Sequence, residues 1–135
     1  MPLLVDTGIL YALADKSDAW HTRTRKYVES TRDTLLTPVT VLPEIAYLLR
    51  HRIGPRAEVA LARSLAAGEL AVENLTRPDW HRTRELMAKY DQLGLVDATF
   101  VAIAERLKLS TIATTDRRHF GMVRPAHAER FTLVP

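Results

Sequence analysis

Leu3-Leu4-Val5-Asp6-Thr7-Gly8-Ile9-Leu10 joins a short apolar run to a carboxylate, and then to a second apolar pattern. Three apolar residues in succession, with no polar alternation, read as a strand buried on both faces, as strands are in parallel sheets covered by helices on either side. The pattern after Gly8 reads as a helix over Gly8–Ala14. An acid at the join therefore stands where a buried strand ends and a helix begins.

The same alternation continues along the chain. Strand-like runs at Leu3–Val5, Leu35–Thr37, Leu70–Val72, Thr111–Thr114 and Phe131–Val134 are separated by helical spacing over Gly8–Ala14, Ala19–Ser30, Val41–Arg52, Arg56–Ala67, Pro78–Tyr90 and Asp97–Leu107. Turn signals at Gly54-Pro55, Gly68, Arg77-Pro78 and Gly94 fall between these elements. Five strands and six helices in this order predict an α/β domain with a mainly parallel sheet. A chain of 135 residues fits one such domain, spanning 1–135.

Composition narrows the chemistry. Hydrophobic residues make up 47% and charged residues 26%, as in ordinary globular proteins. There is no cysteine, so disulfides, thiolate zinc sites and a cysteine nucleophile are excluded, and any metal must sit on oxygen or imidazole. The first residues lack the pattern of a secretory signal, and no apolar stretch reaches the ~20 residues that span a bilayer. A cytoplasmic protein without a membrane partner is expected. A net charge of +3 permits a polyanionic partner without requiring one.

In open α/β sheets ligands bind beyond the carboxyl ends of the strands, and four acids occupy such places. Asp6 follows the first strand and Asp116 the fourth, whereas Glu44 and Asp97 fall in the first turns of helices. Each has an ordinary alternative. Asp6 is a preferred helix cap, with Thr40 the expected cap of the Glu44 helix. Glu44 suits a helix N-terminus electrostatically, and Asp116 sits in a Thr-Thr-Asp turn that could be purely local. Two positions argue against indifference. Glu44 borders the apolar stripe of its helix, and Asp97 shares a face with Phe100, Val101 and Ala104, where an acid needs a partner. Clustered carboxylates raise one another's pKa unless a cation neutralises them. Oxygen ligands without cysteine favour Mg2+ or Mn2+, ions suited to activating water against a phosphodiester.

The stretches LLVDTGILYAL, TPVTVLPEIAYLL, LGLVDATFVAIAERL and IATTDRRHF resemble, in order and spacing, the motifs of the PIN-domain ribonucleases, and among them most closely the VapC toxins of type II toxin–antitoxin pairs. That resemblance implies a three-layer α/β/α domain and an endoribonuclease dependent on Mg2+, with Mn2+ as a substitute. In it a metal-activated water hydrolyses RNA phosphodiester bonds, leaving a 3′-hydroxyl and a 5′-phosphate. It also implies Asp6, Glu44, Asp97 and Asp116 as metal-holding catalytic residues, and Thr7 as a hydroxyl that orients a site group or water. The implied partners are an RNA substrate, a second copy in a homodimer, and a cognate VapB-type antitoxin in a hetero-oligomer.

Arg117 and Arg118, followed by His119, place positive charge at the cleft mouth, where it could meet RNA phosphates. Trp20 and Tyr11 are possible stacking platforms, although packing explains them equally well. The five histidines form no pair at HxxxH spacing, which disfavours a histidine-based mechanism. Three other functions share part of this pattern. A catalytically silent PIN-fold module would bind RNA without cutting it. An aspartic protease shares the Asp6-Thr7-Gly8 triplet, but is β-rich and needs two such triplets. A haloacid-dehalogenase-like phosphatase wants a second Asp where Gly8 stands.

Overall fold

Leu3, Leu4 and Val5 are all buried, and they alternate between two separate cores. Leu4 packs with Leu36, Ile112 and the apolar face of one helical layer, while Leu3 and Val5 face the other. The unbroken apolar run thus reflects a strand covered on both sides.

The computed structural model describes residues 1–135. In chain order the elements are β1 (Pro2–Val5), α1 (Thr7–Ala14), α2 (His21–Ser30), β2 (Thr34–Pro38), α3 (Val41–Arg52), α4 (Pro55–Ala66), β3 (Leu70–Glu73), α5 (Arg77–Lys89), α6 (Leu95–Arg106), β4 (Thr111–Ala113), α7 (Arg117–Met122) and β5 (Thr132–Val134). The strands form one sheet in the order β3-β2-β1-β4-β5, and every pairing is parallel. Side chains of α1 and α3 build one core, against which Tyr27 of α2 and Leu61 and Leu65 of α4 pack. Side chains of α5, α6 and α7 build the other. The result is an α/β/α sandwich whose sheet is wholly rather than mainly parallel. Its architecture has no counterpart in β-rich aspartic proteases.

Topology sets where a ligand can sit. The chain enters at the central strand β1, moves outward through β2 and β3, then returns to β4 on the other side of β1. At such a reversal the loops leaving neighbouring strands diverge to opposite layers and open a crevice. Here that crevice lies between the carboxyl ends of β1 and β4, followed by Asp6 and by Thr114-Thr115-Asp116.

Two local features depart from the sequence expectation. Residues Arg117–Met122 form a seventh helix, held by Asp116 as its cap and by the buried Phe120. Phe120 meets Phe100 of α6 with ring centroids 5.1 Å apart, which fastens the helix after Asp116 to the helix bearing Asp97. Burying a ring of this size contributes roughly 1.5–3 kcal/mol. Thr40 does not cap α3; its backbone is already helical and its hydroxyl pairs with that of Thr99 at 2.7 Å.

The α5–α6 layer is clamped by buried charge. Thr76 and Asp79 form a reciprocal capping box at the start of α5. Asp79 is only 3% exposed, and Arg106 donates its Nε–H to the carboxylate oxygens at 3.1 and 3.0 Å while also pairing with Glu73. Replacing Arg106 by Ala strands the Asp79 charge with its helix-cap contacts alone. The expected cost is about 2–3 kcal/mol in urea unfolding; a loss under about 0.5 kcal/mol would show that the cap suffices.

Candidate active site

Asp6, Glu44, Asp97 and Asp116 all line one cleft of about 310 Å³, together with Thr7, Gly8, Val41, Val96, Phe100 and Thr115. Each acid arrives at the start of a helix. Asp6 caps α1 and Asp116 caps α7, while Glu44 and Asp97 lie in the first turns of α3 and α6. Four helix N-termini thereby converge, and their partial positive charge offsets part of the carboxylate repulsion.

The capping and site positions of Asp6 coincide. Its Oδ1 accepts the Ile9 N–H at 2.9 Å, and its Oδ2 accepts the Thr114 hydroxyl. With 7% exposure this carboxyl is pushed up to about 6, chiefly by burial, against the lowering effect of the Thr114 and Ile9 hydrogen bonds; repulsion from Asp97 and Asp116 adds to the rise. Asp97 is less enclosed and is also pushed up to about 6, by burial first and then by the charges of Asp116 and Glu44, with His119 opposing.

The most compact set of donor atoms belongs to Asp97, Asp116 and His119, all within 4.8 Å of one another. His119 Nδ1 lies 2.7 Å from Asp116 Oδ2, and its backbone N–H donates to Asp116 Oδ1 at 3.0 Å. Asp6 and Glu44 share the cleft but lie outside this tight group. Glu44 is on the exposed rim, where the Thr7 hydroxyl donates to its Oε1. Thr7 therefore orients an acid of the cleft. The donors are hard oxygens with one imidazole, and two of the carboxyls resist ionisation. A set of this kind suits a divalent cation such as Mn2+ or Mg2+.

Three contributors take roles that the sequence does not assign them. Thr114, fully buried, donates to Asp6 and accepts the Asp116 N–H at 2.8 Å, tying the ends of β1 and β4 together. Thr115 packs so closely on Gly8 that a Cβ there would collide with its hydroxyl. Gly8 thus permits close packing of α1 against the Asp116 loop. His119 was grouped with the basic mouth; the α7 cap turns it onto Asp116. Arg117 lies over the Trp20 ring and donates to the Pro135 carbonyl, whereas Arg118 is exposed without an ion pair.

A family model described as "PIN domain" matches residues 3–124. The chain belongs to the PIN-domain family. Within it, the chain is similar to VapC proteins: ribonuclease VapC26 of Mycobacterium tuberculosis is 33% identical over 135 residues, which cover 98% of this chain and all 100% of that protein. VapC20 of the same organism, named a 23S rRNA-specific endonuclease, is 30% identical over 106 residues, covering 77% of this chain and 81% of VapC20. Its crystal structure, described as that of a sarcin-ricin loop cleaving toxin, matches with a TM-score of 0.79 and 27% identity over 86% of this chain and 91% of that one. A toxin–antitoxin complex from Klebsiella pneumoniae shares the fold at a TM-score of 0.73 and 19% identity, covering 98% and 96% of the two chains.

The raised carboxyls have a consequence for stability. Folded Asp97 binds its proton more tightly than unfolded Asp97, so between its ordinary 3.8 and about 6 the native state holds more protons and metal-free stability falls as pH rises. Asp97→Asn removes this contribution. In chelator, the stability of that variant relative to wild type should grow from near zero at low pH to about 1–2 kcal/mol above the window, after discounting for partial exposure. Urea unfolding across pH 4–8 measures it, and a pH-independent difference would refute the assignment of an electrostatically loaded Asp97.

Proposed function

We propose that this PIN-domain protein is a VapC-type toxin, an endoribonuclease that hydrolyses RNA phosphodiester bonds with Mg2+, or Mn2+ in its place. The observation that carries this reading is the meeting of Asp6, Glu44, Asp97 and Asp116, from four separate elements, in one cleft at the sheet's point of reversal. The similarity to proteins named as VapC ribonucleases supports the same activity. In this reading the protein works in the cytoplasm as a homodimer and is restrained by a VapB-type antitoxin in a hetero-oligomer. The Klebsiella pneumoniae neighbour described as a toxin–antitoxin complex supports that partner class.

Asp97 and Asp116 would hold the ion, with Glu44 and Asp6 completing the anionic wall. When bound, the ion supplies charge compensation at the phosphate and Lewis-acid activation of the attacking water. The chain itself contributes fixed geometry. Thr7 holds Glu44, Thr114 holds Asp6, and His119 holds Asp116, so three acids keep one rotamer without waiting for substrate. The converging helix N-termini offset part of the carboxylate charge that an entering phosphate meets.

Three measurements test this. Chelation should abolish RNA cleavage and added Mn2+ should restore it. Asp97→Asn or Asp6→Asn should lower kcat/KM by about 100-fold or more while circular dichroism shows an intact fold. Mn2+ should raise the melting temperature of wild type but much less that of Asp97→Asn. Substrates should include a sarcin–ricin hairpin as well as cellular RNA with mapped 5′ ends. Protein that shifts RNA mobility yet yields no new ends in excess Mn2+ would instead be a silent binding module.

A further inference from the structure

Between α1 and α2 the chain makes a built turn. Asp15 accepts the Tyr11 hydroxyl at 2.6 Å, and the Ser17 N–H and hydroxyl at 2.9 and 2.6 Å. Asp18 accepts the Trp20 N–H at 2.8 Å, and the Trp20 carbonyl accepts the Thr24 N–H at 2.9 Å. Trp20 is thus held on both sides of its backbone, and these bonds end the turn so that α2 begins at His21 rather than Ala19.

The held ring is half-buried and carries two cations. Arg23 Cζ lies 4.4 Å from its centroid, and Arg117 Cζ lies 5.4 Å from it. Arg23 comes from the first turn of α2, whereas Arg117 directly follows the site acid Asp116. Arg23 has no carboxylate partner, and Arg117 donates to the Pro135 main-chain oxygen but pairs with no acidic side chain. Beyond Trp20, a wholly polar hollow of about 440 Å³ is lined by Lys16, His21, Thr22, Arg25, Lys26 and Glu29. Cationic side chains thus flank the indole ring, from Arg117 beside the site acid Asp116 to Arg23 and Lys26 on α2, while Arg25 is paired with Glu29 at 2.8 Å.

Packing alone accounts poorly for this arrangement. Two like charges over one ring repel, and exposed cation–π contacts are weak. An aromatic ring bordered by guanidinium groups matches an unpaired nucleotide, whose base stacks on an aromatic or guanidinium plane and whose phosphate takes the charge. The anionic cleft repels RNA, so attraction has to come from beside it. We propose that Trp20, with Arg23 and Arg117 over its ring, is the platform on which an unpaired base of the RNA stacks next to the cleavage site. This inference rests on the ribonuclease reading. The incoming base replaces one guanidinium on the ring, and the released guanidinium turns to the adjoining phosphate.

The chain has two tryptophans, so Trp80→Phe leaves Trp20 as the sole indole reporter. Titrating that protein in chelator with a single-stranded oligoribonucleotide should quench its emission, and heparin should not. Trp20→Ala should weaken RNA binding about tenfold and raise KM with kcat nearly unchanged, while Trp20→Phe stays within about threefold of wild type. Should Trp20→Ala melt early, Trp20→Leu against Trp20→Phe separates loss of the aromatic face from loss of bulk. If wild type cleaves RNA but Trp20→Ala and Trp20→Leu match it in affinity and KM, the platform is wrong and the ribonuclease reading stands. Equal quenching by heparin and RNA also overturns it, leaving only charge attraction. Wild type that neither binds nor cuts any RNA overturns both.

Discussion

Mutual repulsion among carboxylates at the cleft governs much of the surrounding architecture. Two unit charges about 4–5 Å apart repel by roughly 3–4 kcal/mol at the effective dielectric of a protein site. Asp97 and Asp116 present oxygens within that distance of each other. A helix N-terminus returns typically 0.3–1 kcal/mol to a nearby anion, so the four termini gathered here offset only part of the cost. Burial first, and the remaining repulsion after it, push the carboxyls of Asp6 and Asp97 up to about 6. A divalent cation relieves that tension, which makes metal affinity and metal-free instability two expressions of the same charges.

Only a particular topology can assemble this cluster. β1 and β4 are far apart in sequence but adjacent in the sheet, which places Asp6 beside the Thr114–Asp116 segment. Glu44 descends from the layer containing α3, and Asp97 from the layer containing α6, so the cleft draws on both sides of the sheet. Phe100 packed at a tilt against Phe120 fixes α6 against α7, and Gly8 lets Thr115 approach α1. Apolar packing and one missing side chain thus determine distances between charges.

Most of the framework is legible in the sequence because buried parallel strands and amphipathic helices leave long, regular patterns. The sequence predicts helix α3 with its observed ends, and the other expected elements shift by one or two residues. Helix α7 was missed for a definite reason. Six residues with Phe120 alone buried carry no periodic signal, and the helix depends on the Asp116 cap, a contact that acquires meaning only once β4 ends there. The position of His119 was lost with it, since the i,i+3 contact to Asp116 exists only in the helix. Thr40 was read as a cap from its residue type, but tertiary pairing with Thr99 took its hydroxyl. The ordinary and functional readings of Asp6 proved compatible, because one carboxylate can accept a capping hydrogen bond and still line a cleft.

Hydroxyl groups do much of the positioning that charge cannot. Thr37, Thr99 and Thr114 are all fully buried, and each hydroxyl has a partner: the Val5 carbonyl, the Val96 carbonyl with Thr40, and Asp6. Thr7 serves Glu44 from the rim. A neutral donor can bind a carboxylate closely without cancelling the charge that an ion requires, whereas a lysine or arginine in the same place would compete with that ion. Threonine is also stiff about its first side-chain bond, so holding the acid costs little additional rotamer entropy. Acids aimed by hydroxyls before any cation binds lose less freedom on binding it, and that is the physical sense in which the cleft is pre-organised.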